Sequence, residues 1–413
     1  MEWKIAWRDR QSPYPVQKET LTSEADLKQR VAMLIDKEAR DISISQIPPQ
    51  RDLGGIPYAD IVTSFKNRTI VPFLGAGVPL CGRPSGSEWQ YAPFSNFLPS
   101  GAELADYIAR LANLPAWRLR DTENLARVAS YYTKTNPNTP LADRLRKIFE
   151  RGEITEVHRF LATPALHPMV IVTTNYDTLM EDALEEAGVP FDTVIHCTNI
   201  AQQGRVILRK HKSPPGFVEP GEVDLSPESR TVLYKMHGSI DRQPDVAVST
   251  PANSPQDSYV ITEEDYVKFL SRLNAAPPVI PLRLANHFRK SQFLFLGYSL
   301  EDWNVRVILD SLNTLMNDPG VPIVPLAPTG RVDVPTNSAP PAANPLAEAF
   351  NIPPPRSTGS EGLPARPRYH WAVQFQPTSY DIAVWNGRGV QIQDSDLKEF
   401  VKTLQDPIYN LFL

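Results

Sequence analysis

Apolar residues recur with two different periods along this chain. Short apolar runs rich in β-branched residues, such as TIVPFL at 69–74 and MVIVT at 169–173, are typical of buried strands. Elsewhere apolar residues recur every three or four positions, as at Leu179, Ala183 and Leu184, and this spacing predicts helices with one packed face. Strands that alternate with helices favour an α/β fold with a parallel sheet.

The two patterns predict individual elements. Strands are predicted at 69–74, 169–173, 192–196, 231–236, 292–297 and 369–375. Helices are predicted at 101–113, 121–133, 140–150, 177–187, 262–271, 279–288, 301–316 and 395–405. No internal repeat is evident.

Composition divides the 413 residues into four parts. Residues 1–60 carry one weakly amphipathic helix around 27–35 and then the loop-like SQIPPQRDLGG, so we predict an N-terminal extension that serves as an oligomer or partner arm. Residues 61–320 form the α/β domain, which includes a polar, turn-rich segment at 198–230. Residues 321–368 contain 12 prolines in 48 positions and are predicted to be an extended insertion. Residues 369–413 supply closing strands and a C-terminal helix.

Charge and cysteine content exclude several classes of protein. The net charge of −5 argues against broad coating of nucleic acid. The N-terminus lacks the apolar core of a secretory signal, and no apolar run reaches the ~20 residues of a membrane span. Cys81 and Cys197 are the only cysteines, so a four-cysteine zinc site cannot be built. We predict a cytoplasmic protein without a metal, with no membrane contact and no direct nucleic-acid binding.

Candidate chemistry lies in turns that follow four of the predicted strands. These turns are FLGAGVP at 73–79, TTNYD at 173–177, MHGSID at 236–241 and LGYSLEDWNVR at 296–306. In open parallel sheets, ligands bind at the carboxyl ends of the strands, where all four would lie. We therefore expect them to line one crevice.

The first two turns each have two interpretations. The glycines of GAG either let a phosphate approach the backbone or relieve crowding at the end of a strand. In TTNYD, Thr174 or Asn175 caps the following helix while Asp177 favours its N-terminus. Alternatively, the same polar cluster faces a ligand.

The last two turns are equally ambiguous taken alone. His237 is either a satisfied core or surface histidine, or a general base with a pKa near neutrality beside a glycine that permits close approach. Asp302 and Arg306 are spaced for an ion pair on one helix. The joint order of the four turns is the stronger signal.

That order resembles the bacterial branch of the sirtuin family, the kind found as NAD-consuming effectors in antiphage defence. The resemblance covers roughly residues 65–320, and ENLARVASYY at 123–132 and YVITEEDYVKFL at 259–270 agree with it. It implies a Rossmann-like parallel sheet with helices on both faces, helical inserts and the Pro-rich insertion. It also implies NAD as the substrate and no metal.

By this resemblance, Asn175, Asp177 and His237 are the predicted catalytic residues, with His237 as the base. The other positions are implied to bind NAD around its pyrophosphate, ribose, nicotinamide and adenosine parts. They are Gly75, Ala76, Gly77, Thr174, Tyr176, Gly238, Ser239, Gly297, Ser299, Asp302, Asn304 and Arg306.

The chain departs from the family in two places. Pro79 stands where relatives carry a serine, which removes a hydroxyl and an N–H from the phosphate cradle, so that Ser85 and Ser87 become candidate substitutes. The zinc module of protein-deacetylating sirtuins is absent, which disfavours deacylation.

The predicted activity is hydrolysis of NAD to nicotinamide and ADP-ribose or a cyclic isomer, as an abortive-infection effector. The alternatives are a non-catalytic sensor of NAD or ADP-ribose, a structural subunit of a defence complex, and NAD-dependent deacylation or ADP-ribosyl transfer. By resemblance, the protein is expected to form homo-oligomers under the control of a HerA-type hexameric ATPase, a short Argonaute or an oligomerising sensor. The Pro-rich insertion is a candidate gate over the pocket.

Overall fold

The structure is a computed structural model. It describes residues 2–8, 17–47, 56–84, 87, 89–91, 97–115, 122, 124–150, 152–198, 204–213, 215–240, 257–273, 280–298 and 370–412. The predicted helix at 301–316, the predicted insertion at 321–368 and the site candidates Ser299, Asp302, Asn304 and Arg306 lie outside these residues.

The N-terminal segment is a small three-stranded antiparallel sheet with one helix. Its elements are β1 (Glu2–Arg8), β2 (Gln17–Leu21), α1 (Glu24–Asp36) and β3 (Arg40–Ile47), with strand order β2-β1-β3. Ile5 and Trp7 pack with Leu27 and Leu34 of α1 in a core of their own. The helix predicted around 27–35 is confirmed. The loop prediction for residues 45–47 is wrong, because they end β3 and pair with β1.

A nine-stranded sheet forms the centre of the remaining chain. Its order is β14-β13-β12-β4-β5-β9-β6-β7-β8. The strands are β4 (Ile70–Leu74), β5 (Val170–Thr173), β6 (Phe191–His196), β7 (Val206–Arg209), β8 (Gly216–Val218), β9 (Thr231–Lys235), β12 (Gln292–Leu296), β13 (His370–Gln374) and β14 (Val390–Asp394). Two short strands outside this sheet, β10 (Gly238–Ser239) and β11 (Ser258–Tyr259), pair with each other.

Seven of the nine strands run parallel, so the predicted parallel α/β sheet is confirmed. Each step from β14 to β6 is a parallel pairing, and β7 and β8 then add antiparallel at the edge. All six predicted strands are present. The description of 198–230 as only polar and turn-rich is wrong, because that segment contains β7 and β8.

Helices cover both faces of the sheet. They are α2 (Tyr58–Lys66), α3 (Gly77–Leu80), α4 (Gly101–Leu111), α5 (Leu125–Thr135), α6 (Leu141–Phe149), α7 (Glu156–Leu161), α8 (Leu179–Glu186), α9 (Glu263–Leu273), α10 (Leu282–Phe288), α11 (Ser379–Asn386) and α12 (Leu397–Phe412). The predicted helices within the described residues are all present. None of the helices in these ranges is long and apolar enough to cross a membrane.

Two apolar cores separate the helices into layers. On one face, α9, α10 and α11 pack on alternate side chains of the strands, including Phe73, Phe293 and Phe295. On the other face, α2, α7, α8 and α12 pack on the intervening side chains, including Ile171 and Leu296. Helices α4, α5 and α6 form a third cluster over the β5 turn. This layering is the Rossmann-like arrangement expected from the sequence.

The strand order reverses on the two sides of β4. From β4 the chain passes to β5 on one side, and it later returns to the other side through β12. Such a switch point opens a crevice at the carboxyl ends of the strands. The first and last of the four sequence motifs therefore begin at adjacent strand ends.

The backbones after β4 and β12 are in direct contact. Gly75 N–H donates to Leu296 O at 2.9 Å and Gly77 N–H donates to Gly297 O at 2.8 Å. A Cβ on Gly75 would lie 2.6 Å from Gly297 O, and one on Gly77 would lie 2.8 Å from Gly297 Cα. Gly297 has φ +65, and a Cβ there would collide with the Val78 nitrogen. This joint needs glycine at all three positions.

Gly297→Ala is expected to lower the free energy of unfolding by about 2–4 kcal/mol, through left-handed strain together with overpacking. Gly188→Ala is the matched control, since Gly188 has φ +68 and open space around the position of a Cβ. The control is expected to cost only about 1 kcal/mol. Urea unfolding of the two variants measures the difference. Equal losses would show that the contact between the strand ends is not tight.

Candidate functional site

Three of the sequence motifs and the start of the fourth meet at one edge of the sheet. The adjacent parallel strands β12, β4, β5 and β9 end at Leu296, Leu74, Thr173 and Lys235. The turns that follow carry Gly297, the GAG glycines, Asn175 and His237. Parallel pairing puts the carboxyl ends of these strands at a common edge, so the expected convergence is present for the described members.

Asn175 bridges two of these turns. Its side-chain Nδ2 donates to Gly75 O at 3.0 Å, and its backbone N–H donates to Thr173 Oγ1 at 3.0 Å. Thr174 N–H donates to Leu74 O at 3.1 Å, which extends the pairing of β5 with β4 past the strand end. The amide of Asn175 is nearly buried, at 9 % exposed. It is therefore held by backbone geometry and carries no charge.

Asp177 acts at the start of α8. Its Oδ1 accepts from Leu179 N–H at 3.0 Å, so Asp177 supports the N-terminus of the helix as predicted. The prediction that Thr174 or Asn175 caps this helix is wrong, because the N-cap position is Thr178 and the side chains of Thr174 and Asn175 donate to Leu74 O and Gly75 O. Burial raises the pKa of the Asp177 carboxyl above its ordinary value, although the nearby Lys235 charge and the Leu179 N–H pull it down. The side chain is 5 % exposed.

Tyr176 packs under the helical insert. Its hydroxyl donates to Val260 O at 2.7 Å, and its ring lies edge-on to Phe149 and Tyr259 with centroids 5.3 Å away in each case. Ser239 Oγ donates to Ile240 O at 2.8 Å. The hydroxyl groups of Tyr176 and Ser239 thus donate to backbone carbonyls of the protein.

His237 is a buried, neutral imidazole. Its ring lies edge-on to Tyr266 at 5.3 Å and to Phe269 at 5.5 Å, and burial lowers its pKa to about 3. Among the described residues, its buried Nε2 has no hydrogen-bond partner. Gly238 follows with φ +91, where a Cβ would collide with Ser258 O. A neutral imidazole with an unused nitrogen can accept a proton or a hydrogen bond from a ligand.

Sequence reasoning missed a second histidine in this region. His196 is the last residue of β6, the strand beside β9. Its ring lies edge-on to Phe269 with the ring centroids 5.1 Å apart, so the rings of both histidines contact Phe269. Burial lowers its pKa to about 3, with help from the Arg272 charge. A histidine at the end of a predicted strand, VIH, was the same signal that singled out His237.

A buried ion pair was also missed. Lys235, the last residue of β9, is 0 % exposed and its Nζ lies 2.9 Å from Glu181 Oε1. The same Nζ donates to the backbone carbonyl of Asp177. Lysine is almost never fully buried, so no pattern of apolar residues would place one here.

The GAG turn offers fewer free amides than its motif suggests. The N–H groups of Gly75 and Gly77 already donate to the end of β12 and to Gly297 after it, and Val78 N–H donates to Gly75 O at 3.0 Å. In the described part of the chain, Ala76 N–H is the amide of this turn without a partner. Pro79 is the third residue of α3, in a first turn whose N–H groups need no partner within the helix. Ser87 Oγ donates locally to Pro84 O, and Ser85 lies outside the described residues.

Known proteins share these motifs. Residues 169–350 match the model of the SIR2-like domain. The matched range contains the Asn175, His237 and Gly297 turns, whereas the GAG turn precedes it. The predicted resemblance to the sirtuin family is thereby confirmed.

Several curated relatives of the chain are named NAD(+) hydrolase ThsA. The relative from Enterococcus faecium is 29 % identical over 201 residues, which is 47 % of this chain and 33 % of the relative. The relative from Bacillus cereus (strain MSX-D12) is 26 % identical over 220 residues, 52 % of this chain and 37 % of the relative. The relative from Cytobacillus dafuensis is 25 % identical over 198 residues, 48 % of this chain and 32 % of the relative. This chain therefore spans about a third of the length of these relatives.

The buried histidines make stability depend on pH. Burial lowers the pKa values of five histidines in the described residues to about 3 or 4, and these are His158, His167, His196, His237 and His370. The unfolded chain takes up these protons below pH ~6.5 while the folded chain does not. We expect each histidine to cost about 1.4 kcal/mol of unfolding free energy by pH 5.5.

Urea unfolding at pH 7.5, 6.5 and 5.5 measures this loss. His196→Leu removes one of the five titrating groups. Between pH 7.5 and 5.5, the variant is therefore expected to lose about one fifth less unfolding free energy than the wild type loses. A wild-type stability that is flat between pH 7.5 and 5.5 would contradict the buried, neutral state of these rings.

Proposed function

We propose that this chain hydrolyses NAD to nicotinamide and ADP-ribose. The observation that carries the proposal is the meeting of the Asn175 and His237 turns with the GAG turn at the switch point of the sheet. The relatives named NAD(+) hydrolase ThsA support the same reaction. Because only about a third of each relative is matched, the activity of this chain is inferred from its site together with that name.

The proposed reaction breaks the bond between nicotinamide and the anomeric carbon of the ribose. The leaving group is already a cationic pyridinium, so its departure needs no strong acid. The chain has to hold the ribose, separate it from nicotinamide and present water. Asn175 suits this task because its neutral amide can hydrogen-bond a ribose hydroxyl or the water and does not compete as a nucleophile.

His237 is the proposed base. Its ring is neutral at pH 7 and its Nε2 is unused within the described residues, so it can accept a proton from water or a ribose hydroxyl. The low pKa makes it a weak base while its surroundings are apolar. A bound diphosphate would raise this pKa, because a nearby negative charge favours the imidazolium. General-base catalysis of this kind contributes about 10²–10⁴-fold in rate.

Other predicted contacts remain proposals. Asp177 would face the nicotinamide end while it caps α8, and Ala76 N–H is the amide of the GAG turn best placed to meet the pyrophosphate. Gly238 and Gly297 would line the pocket through backbone atoms. Thr174, Tyr176 and Ser239 would do so chiefly through backbone atoms, since their hydroxyls already donate to backbone carbonyls of the protein. The assignments of Ser299, Asp302, Asn304 and Arg306 rest on the sequence motif.

We further propose the biological setting that the family resemblance implies. The chain would act in the cytoplasm as an NAD-depleting effector of antiphage defence, assembled as a homo-oligomer and controlled by a HerA-type ATPase. Control by a short Argonaute or an oligomerising sensor is the alternative. The binding-only role keeps a structural argument, since two amides of the GAG turn are already used. NAD binding without nicotinamide release under every partner condition would favour that role.

Purified protein, alone and with its candidate partners, is incubated with NAD and nicotinamide release is followed by chromatography. Asn175→Ala and His237→Ala are each expected to lower the rate at least 100-fold. His237→Ala removes the general base, and Asn175→Ala removes the group that holds the ribose or water. Asn286→Ala and His287→Ala are the matched controls. Both residues lie in α10, which precedes the amino end of β12, at the edge of the sheet opposite the candidate site. They are expected to keep the wild-type rate. Full activity in either site variant would remove that residue from the mechanism.

A further inference from the structure

The strongest unexplained feature of the site is the fully buried ammonium of Lys235. It lies at the end of β9, two residues before His237, and its charge is paired with Glu181 of α8 at 2.9 Å. Both side chains are at least nine-tenths buried, at 0 % and 6 % exposed. One carboxylate oxygen, Glu181 Oε2, is buried with no partner among the described residues.

Stability alone does not account for this pair. Removing two charges from water costs several kcal/mol each, and apolar residues of similar volume in the same place are often as stable or more so. The surroundings are suitable for such a replacement, because Met180, Ala183 and Leu184 of α8 pack in the apolar core on this face.

Lys235 ties together the two turns that carry the candidate catalytic groups. Its Nζ donates to the carbonyl of Asp177, two residues beyond Asn175, while its own backbone leads directly into the His237 turn. Further links between these turns are backbone bonds from Ile240 N–H to Tyr176 O at 2.9 Å and from Met236 N–H to Thr173 O at 2.9 Å, together with a bond from Ser239 Oγ to Tyr176 O at 3.4 Å. Lys235 supplies a charged side-chain link with a buried counter-ion.

We propose that Lys235, with Glu181 as its counter-ion, is a positioning residue that fixes the Asn175–Asp177 turn relative to His237. This inference rests on the proposed function for its effect on rate. Its structural part, the immobilisation of the turn, stands independently of any activity.

The negative charge of Glu181 also has a chemical role. Nicotinamide is a cationic leaving group and the ribose develops positive charge at its anomeric carbon as the bond breaks. An unpaired ammonium in a low-dielectric interior would oppose that charge. Glu181 neutralises Lys235, so the pair holds the turn without adding net positive charge.

The test compares three variants. Lys235→Met removes the ammonium but leaves Glu181 buried without its partner, and it is expected to unfold at a lower temperature. Glu181→Gln removes the counter-ion from the buried ammonium, and it too is expected to unfold at a lower temperature. Lys235→Met with Glu181→Leu replaces the whole pair by apolar groups and is expected to restore thermal stability close to that of the wild type. Lys398→Met, which removes an exposed pair with Glu156, is the matched control.

The decisive result comes from the double variant. If Lys235 is a positioning residue, the double variant should lose at least tenfold in kcat for NAD while KM changes less than threefold. Wild-type kcat in this folded double variant would overturn the proposal. Lys398→Met should leave kcat and stability unchanged, and a similar loss in this control would also overturn the proposal.

Hydrogen exchange without NAD separates this inference from the proposed function. The amides of Asn175, Leu179 and Ile240 are bonded within or onto the turn, so peptides covering 174–180 and 237–241 should exchange at least tenfold faster in the double variant. Unchanged exchange would overturn the positioning role. Faster exchange in a protein that has no NAD hydrolase activity would uphold the positioning role while the proposed function fails.

Discussion

The contact between the backbones that follow β4 and β12 is the constraint on which the site depends. Three glycines, Gly75, Gly77 and Gly297, let the two chains approach to hydrogen-bonding distance with no side chain between them. This contact brings the GAG turn to the switch point, and the carbonyl of Gly75 then receives the Asn175 side chain. A larger residue at any of the three positions would separate strands that must be adjacent for the crevice to form.

The same contact changes the meaning of the glycine motif. A GxG turn suggests a bare row of amides for a phosphate, but here two of those amides donate to β12. The glycines are therefore required first by packing between strands, and a pyrophosphate would approach a cradle with little spare hydrogen-bonding capacity. By this argument Pro79 matters less than its sequence position suggests, because in the first turn of α3 it gives up no bond that the helix would have made.

Pattern reasoning recovered the parts of the fold that are buried on both sides. Strands such as Ile70–Leu74 and Val170–Thr173 are continuous apolar runs because helices cover both faces of the sheet. The edge strands β7 and β8 lie in a segment dominated by Pro, Gly and charged residues, so their short apolar stretches carry little signal. At the other edge of the sheet, β14 (VQIQD) alternates apolar and polar side chains. The sequence pattern predicted a strand at 369–375 but no separate strand at this position. The strands of the N-terminal sheet were missed, although β1, EWKIAWR, alternates apolar and polar side chains over seven residues.

The candidate site was predictable where chemistry follows the end of a strand, as it does at Asn175 and His237. Lys235 and Glu181 were not predictable, since a buried ion pair shows its role only once β9 and α8 are seen to face each other. The Asn175–Asp177 turn joins the two kinds of residue. Asp177 caps α8 with its carboxyl group and accepts from Lys235 with its carbonyl, and these two bonds together fix the backbone that presents Asn175. Capping and catalysis are thus not competing explanations of this turn, because a helix start that is held this firmly is what a neutral amide needs in order to meet a ribose in one orientation.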